Sequence, residues 1–186
     1  MTVLPIVTYN DPVLREPAQP VKSDSDELQN LINNMFETMY NSSGVGLAAP
    51  QIGESLQLFV MDADAVTDEL EDEENLGPMV FINPEIVELS GEKIRMEEGC
   101  LSIPELRDDV SRPNMVKITF LNRDFEEEEL VAEGWVSRVI QHEYDHLNGK
   151  LFIDYLSAFR KRLHKSLLKK IDGGNLEIDY PVKPRS

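Results

Sequence analysis

Apolar residues recur at three- and four-residue steps through Leu28, Leu31, Ile32, Met35, Phe36 and Met39, the period of one face of an α-helix. Asp24 precedes this run as a candidate N-cap, Glu27 stands three positions on, and Asn41-Ser42-Ser43-Gly44 closes it. A second helix is predicted over 135–147, after Gly134. A third is predicted over 157–171, where Phe159, Leu163, Leu167 and Ile171 form one stripe and Gly173-Gly174 marks the stop. Runs rich in β-branched and aromatic residues predict strands at 56–61, 79–82, 86–89, 93–96 and 115–121. Asn83-Pro84 is expected to break the second run and Ser90-Gly91 to turn the third into the fourth. Residues 126–129 are expected to form a solvated turn. Pro5, Pro12, Pro17 and Pro20 forbid a long helix in the first 22 residues and predict an extended arm laid over the body. Strands and helices without regular β-α-β alternation indicate an α+β fold.

Composition adds limits. A chain of 186 residues with 41% apolar side chains supports one domain, 1–186, with a sizeable core. The formal net charge is −17, yet residues 156–186 carry eight Lys/Arg against three Asp/Glu. The acidic remainder repels nucleic acid, so no DNA partner is expected, and the basic helix over 157–171 is the exception. The segment 62–78 is dense in Asp and Glu and poor in large apolar residues, as a solvated loop or insertion would be; 172–186 is expected to be an irregular tail. No basic leader precedes an apolar run, so no signal peptide is expected, and no stretch reaches the roughly 20 apolar residues of a membrane span. Cys100 is the single cysteine, which excludes an intrachain disulfide and fits a reducing cytosol.

The candidate chemistry centres on Gln141-His142-Glu143-Tyr144-Asp145-His146-Leu147. Imidazoles four positions apart share one helix face and can bridge a metal ion. Glu143, about 100° around the helix, can reach an activated water without being a ligand. Two histidines leave a site incomplete. A third histidine six residues on would give a metzincin, but Phe152 stands there, and the only glutamate after Glu143 is Glu177 in the tail. Upstream, Cys100 in Glu98-Gly99-Cys100-Leu101-Ser102-Ile103-Pro104 is the remaining candidate. It would give a Cys-His-His site with a fourth position open for water, suited to Zn²⁺ or Fe²⁺. In Gly44-Val45-Gly46-Leu47-Ala48-Ala49-Pro50-Gln51-Ile52-Gly53, small residues leave the backbone accessible and Gln51 offers an amide donor to a developing oxyanion.

These three stretches resemble, in order and without a break, the three motifs of the peptide deformylases. The similarity extends to Leu4–Arg15 and to the C-terminal helix. The resemblance implies a bacterial-type, cytoplasmic metallohydrolase with mixed, mainly antiparallel sheets packed around a central metal-binding helix, and a long C-terminal helix. It implies removal of the N-formyl group from the initiator methionine of N-formylmethionyl nascent peptides. Cys100, His142 and His146 would ligate one Fe²⁺, for which Zn²⁺, Ni²⁺ or Co²⁺ substitutes in preparations. Glu143 would shuttle the proton, Gln51 and the Leu101 N–H would stabilise the oxyanion, and Gly46 would hydrogen-bond the substrate backbone. The methionine pocket would be lined by Val45, Gly99, Arg107 at its rim, and Trp135, Arg138 and Val139. The basic helix would dock to the ribosome near the exit tunnel. Two other classes remain as alternatives: a zinc endopeptidase, and a catalytically silent metal-binding protein attached to the ribosome.

Overall fold

In the computed structural model, which describes residues 1–70 and 75–183, the N-terminal arm runs extended along the body, as its prolines require. It forms strand β1 (Ile6–Val7), a 3-10 turn at Pro12–Arg15, and bridges from Pro17 to Asn148 and from Gln19 to Leu56. Helix α1 (Asp26–Asn41) follows, capped by Ser25 rather than Asp24. The Ser25 hydroxyl accepts from the Leu28 N–H, while the Asp24 carboxylate accepts from the Gln29 amide.

Next come β2 (Gly46–Ala48), β3 (Leu58–Met61), the short helix α2 (Asp64–Thr67), and the long strands β4 (Met79–Cys100) and β5 (Ile103–Leu121). Then come β6 (Glu127–Ala132), helices α3 (Gly134–Leu147) and α4 (Ala158–Asp172), and β7 (Val182–Lys183). One antiparallel sheet has the order β2-β3-β4-β5-β6, and β1 pairs in parallel with β7. The α+β expectation holds, with antiparallel pairing dominant. Part of the acidic insertion, 71–74, and the last residues of the tail, 184–186, lie outside the described residues.

The three strands expected between 79 and 96 are one strand. Asn83 does not end it: with φ +48° it takes the left-handed turn of a bulge, and its carboxamide brackets the Val21 backbone with two 2.8 Å hydrogen bonds. Nor does Ser90-Gly91 reverse the chain. Ser90 pairs with Met115 and Lys93 with Pro113, so Gly91, at φ +80°, absorbs a further register shift. The reversal comes at Leu101-Ser102, between paired Cys100 and Ile103. The turn expected at 126–129 sits earlier. The Asn122 side chain accepts from the Asp124 and Glu126 N–H groups, and 127–132 extend as β6. The tail is not wholly irregular, because β7 lies within it.

Strand alternation puts the site between two cores. Leu58, Val60 and Ile82 face Ile32, Met35 and Met39 of α1. Phe59, Met61 and Phe81 face the opposite way, toward Val136, Val139 and Ile140 of α3. Phe81 stacks against Phe59 at 4.4 Å and Phe120 at 4.2 Å between ring centroids. A third cluster joins Ile103, Leu106 and Val110 of β5 to Phe152 and Ile171. The α4 stripe is only half used: Ile171 is buried, while Phe159 is 65% and Leu163 58% exposed. The front of α4 is held by charge instead. Buried Asp108 accepts from Arg160 and from His164, and these partners hold its carboxyl down at about 2. Arg160 outweighs the upward push of burial. No helix among the described residues is long and apolar enough to cross a membrane.

Candidate active site

Helix α3 is sheathed on nearly all sides. Ser137, Arg138, Gln141, His142, Glu143, Asp145 and His146 are all buried on it. So many polar groups are tolerable inside only if they are paired, and one carboxylate organises most of the pairing. Glu98, near the end of β4, accepts from Arg112 through Nε at 2.6 Å and Nη2 at 3.0 Å, and from Arg138 Nη1 at 2.8 Å. It also contacts His142 Nδ1 at 2.9 Å. Arg112 continues to Asp145 at 2.7 Å, and Asp145 accepts from the Tyr155 hydroxyl at 2.8 Å. Burial alone would raise the Glu98 carboxyl, but His142 and Arg112 outweigh it and hold the group well below the usual carboxylate range.

With Nδ1 engaged by Glu98, His142 offers its other ring nitrogen to the cleft. His146, one helical turn on, stands edge-on to it with ring centroids 5.0 Å apart. The β4–β5 reversal delivers Cys100 to the same place. The Cys100 Sγ lies 3.4 Å from His146 Nε2, and ligand atoms of Cys100, His142 and His146 all lie within 4.8 Å of one another. A tetrahedral ion with bonds of about 2.3 Å to sulfur and 2.0–2.1 Å to nitrogen spaces those atoms about 3.5 Å apart, so the donors fit one such ion. His146 is held well below the usual imidazole range by burial. On His142 burial acts the same way but is outweighed by hydrogen bonds to Cys100 and Glu98, which leave it well above that range.

Glu143 points into the cleft beside these donors. Burial pushes its carboxyl up to about 7, against the pull of His142. Its Oε2 has no protein hydrogen-bond partner among the described residues. Gly46 permits this approach: a Cβ on Gly46 would lie 2.5 Å from Glu143 Oε1. Because β2 is an edge strand, Gly46 also sits where an added extended segment can pair. Gln51 is aimed by its own loop. Its Oε1 accepts from the Ala48 N–H at 2.9 Å, turning Nε2 toward Cys100 Sγ at 3.5 Å and Ser102 Oγ at 3.3 Å.

These groups line a cleft of about 500 Å³. Its wall includes Val45, Gly46, Gln51, Gly99, Cys100 and Leu101, and all of the expected Arg107, Trp135, Arg138 and Val139. His146 is buried and does not itself line the cleft. Arg107, with a side chain 68% exposed, stands at the rim, 3.8 Å from Glu97. Arg138 is less available than a charged pocket residue would be. Its guanidinium is tied to Glu98 and to the Val110 and Ile94 carbonyls, which leaves its stem to the wall. Motif and periodicity do not single out Glu98, Arg112, Asp145, Tyr155 or Tyr180. Glu98 and Asp145 stand inside the motifs, but their partners lie far along the chain.

Comparison with known proteins gives the family and the fold. The family model described as polypeptide deformylase matches residues 3–162. A peptide deformylase of Salinibacter ruber is 52% identical over 183 residues, covering 97% of this chain and 94% of its own. One from Christiangramia forsetii is 45% identical over 187 residues, covering 97% and 95%. The crystal structure of a peptide deformylase from Ehrlichia chaffeensis superimposes with a TM-score of 0.85 at 37% identity, covering 95% of this chain and all of that one. A second structure of that protein, in complex with actinonin, gives a TM-score of 0.84 at 38% identity and the same coverage.

Proposed function

This chain belongs to the polypeptide deformylase family, and from that premise we propose that it removes the N-formyl group from the N-terminal methionine of newly synthesised polypeptides, releasing formate in the cytoplasm. The observation that carries the reading is the convergence of Cys100, His142 and His146 on one point of a cleft that also holds Glu143 and Gln51. Cys100, His142 and His146 would hold one divalent ion, Fe²⁺ in the native enzyme, with Zn²⁺, Ni²⁺ or Co²⁺ as substitutes. When bound, such an ion supplies Lewis acidity and makes water acidic enough to act as a nucleophile near neutral pH.

The chain's own groups do the rest. Glu143 takes the proton from the attacking water and passes it to the leaving amine. Burial in the cleft, which pushes this carboxyl up, favours its holding the proton between the two halves of that transfer. Gln51 Nε2 and the Leu101 N–H donate to the oxygen that becomes negative, each worth about 2.7–4 kcal/mol in comparable sites. Gly46 pairs with the substrate backbone along the open edge of β2. The methionine side chain enters the wall formed by Val45, Gly99, Trp135, Val139 and the Arg138 stem, below Arg107.

Cys100→Ala is expected to lower metal content at equilibrium to well under one ion per chain, measured by elemental analysis after dialysis, while α3 keeps its helicity. Full retention of metal would remove Cys100 from the ligand set.

The exposed cations of α4 support docking to ribosomal RNA at the peptide exit. Arg160 is committed to Asp108, so Lys161, Arg162 and Lys165 form the available face. Reversing these three charges to glutamate is expected to weaken co-sedimentation with ribosomes by about tenfold or more at low salt, with turnover of free formyl peptide unchanged. Unchanged co-sedimentation would end this part of the reading.

A further inference from the structure

Beyond α4 the chain turns back across the molecule. The Pro181 carbonyl accepts from the Ile6 N–H at 2.9 Å, and β7 pairs with β1. This return places Tyr180 on the wall of the catalytic cleft. Its ring packs against the apolar cluster that contains Ile6 and Leu47, and its hydroxyl donates to the Leu101 carbonyl at 2.8 Å. Tyr180 lies outside the 3–162 segment that the family model matches.

Leu101 and Ser102 are the two residues that reverse β4 into β5. Leu101 and Ser102 fall between the last paired residues of the two strands, so contacts from outside the hairpin set where they sit. The flanking groups are held from other directions, Cys100 Sγ and Ser102 Oγ by the Gln51 amide. On the other side of the turn, Gly44 approaches so closely that a Cβ there would lie 2.9 Å from Leu101 Cδ1. The Leu101 carbonyl itself is held by Tyr180.

We propose that Tyr180 is a positioning residue for the reaction: by holding the Leu101 carbonyl from the folded-back tail, it pins Leu101 on the side away from Cys100 and so limits the displacement of the residue whose N–H, in the Cys100–Leu101 peptide, meets the developing oxyanion. The role rests on the deformylase reading given above. The hydroxyl touches neither substrate nor metal ligand in this role. Its loss changes the transition state more than the ground state, because the Leu101 N–H bond strengthens only as the oxyanion forms.

The test is Tyr180→Phe in the full-length, metal-loaded protein, with Tyr180→Ala beside it. Phenylalanine keeps the ring packing and removes one hydrogen bond. The expected result is a roughly 3- to 10-fold lower kcat on a formyl-methionyl peptide, KM within about twofold, and unchanged metal content. Hydrogen exchange at the amides of residues 101–103 should accelerate, while exchange in α3 stays at the parent rate. Tyr180→Ala should give at least the same loss. Parent-like kcat, or parent-like exchange at 101–103, in Tyr180→Phe overturns the proposal. If the parent protein releases no formate, the deformylase reading falls, and the catalytic role of Tyr180 with it. A kcat loss confined to the variants separates the two cases.

Discussion

Glu143→Ala is expected to leave metal content at one ion per chain and to lower kcat on a formyl-methionyl peptide by about 10²–10⁴-fold. The carboxylate lines the same cleft as Cys100 and His142, with Oε2 free of any protein partner among the described residues. It contributes no atom to the Cys100, His142 and His146 cluster, so its removal separates proton transfer from metal binding. Truncation to alanine also leaves space beside Gly46, which now abuts the carboxylate; water can fill it without disturbing β2. Glu143→Gln, which keeps the volume but cannot take a proton, should be as inactive as the alanine variant. Near-parent turnover by either variant would remove Glu143 from the mechanism.

Glu98→Ala should be the most destabilising single change near the site. It strips the shared carboxylate from Arg112 and Arg138, both 4% exposed at the side chain, and leaves two buried guanidinium groups short of their acceptor. Breaking a buried pair from one side costs about 3–5 kcal/mol, and for a domain of this size that corresponds to a fall in Tm of roughly 10 °C. The same change unties His142 Nδ1, so metal affinity should fall by about 10–100-fold as well. Urea denaturation and metal titration of the variant check the two effects separately. A stability within about 1 kcal/mol of the parent would show that Arg112 and Arg138 find other partners. Replacement by glutamine, which keeps two of the acceptor contacts, should fall between parent and alanine.

What the sequence revealed and what it concealed divide along one physical line. The spacing of His142 and His146 is a property of a single helix, whose Val136, Val139 and Ile140 face the Phe59–Phe81–Phe120 stack. Cys100 could be nominated only by eliminating downstream ligands. What brings it to the histidines is a reversal two residues long at the end of a 22-residue strand, which local sequence signals divide into three. Asn83 and Gly91 both adopt positive φ, as turn residues do, but a bulge and a reversal make the same local demand, and only the partner strand distinguishes them.

The supporting network was hidden for a related reason. Glu98, Arg112, Asp145 and Tyr155 are polar residues whose burial depends on one another across two strands and a helix. Nothing in the sequence near any one of them marks it as buried. The α4 stripe erred the other way: helical periodicity was correct, but Phe159 and Leu163 have no body to pack against because Asp108 anchors that end through Arg160 and His164.

The most direct test is release of formate from a formyl-methionyl peptide by anaerobically prepared protein, with metal content measured on the same sample. The account predicts one formate for each free methionyl amine produced, at a rate proportional to metal bound per chain and abolished by chelation. Metal-loaded protein that releases no formate, or that cleaves the peptide at an internal bond instead, would contradict it.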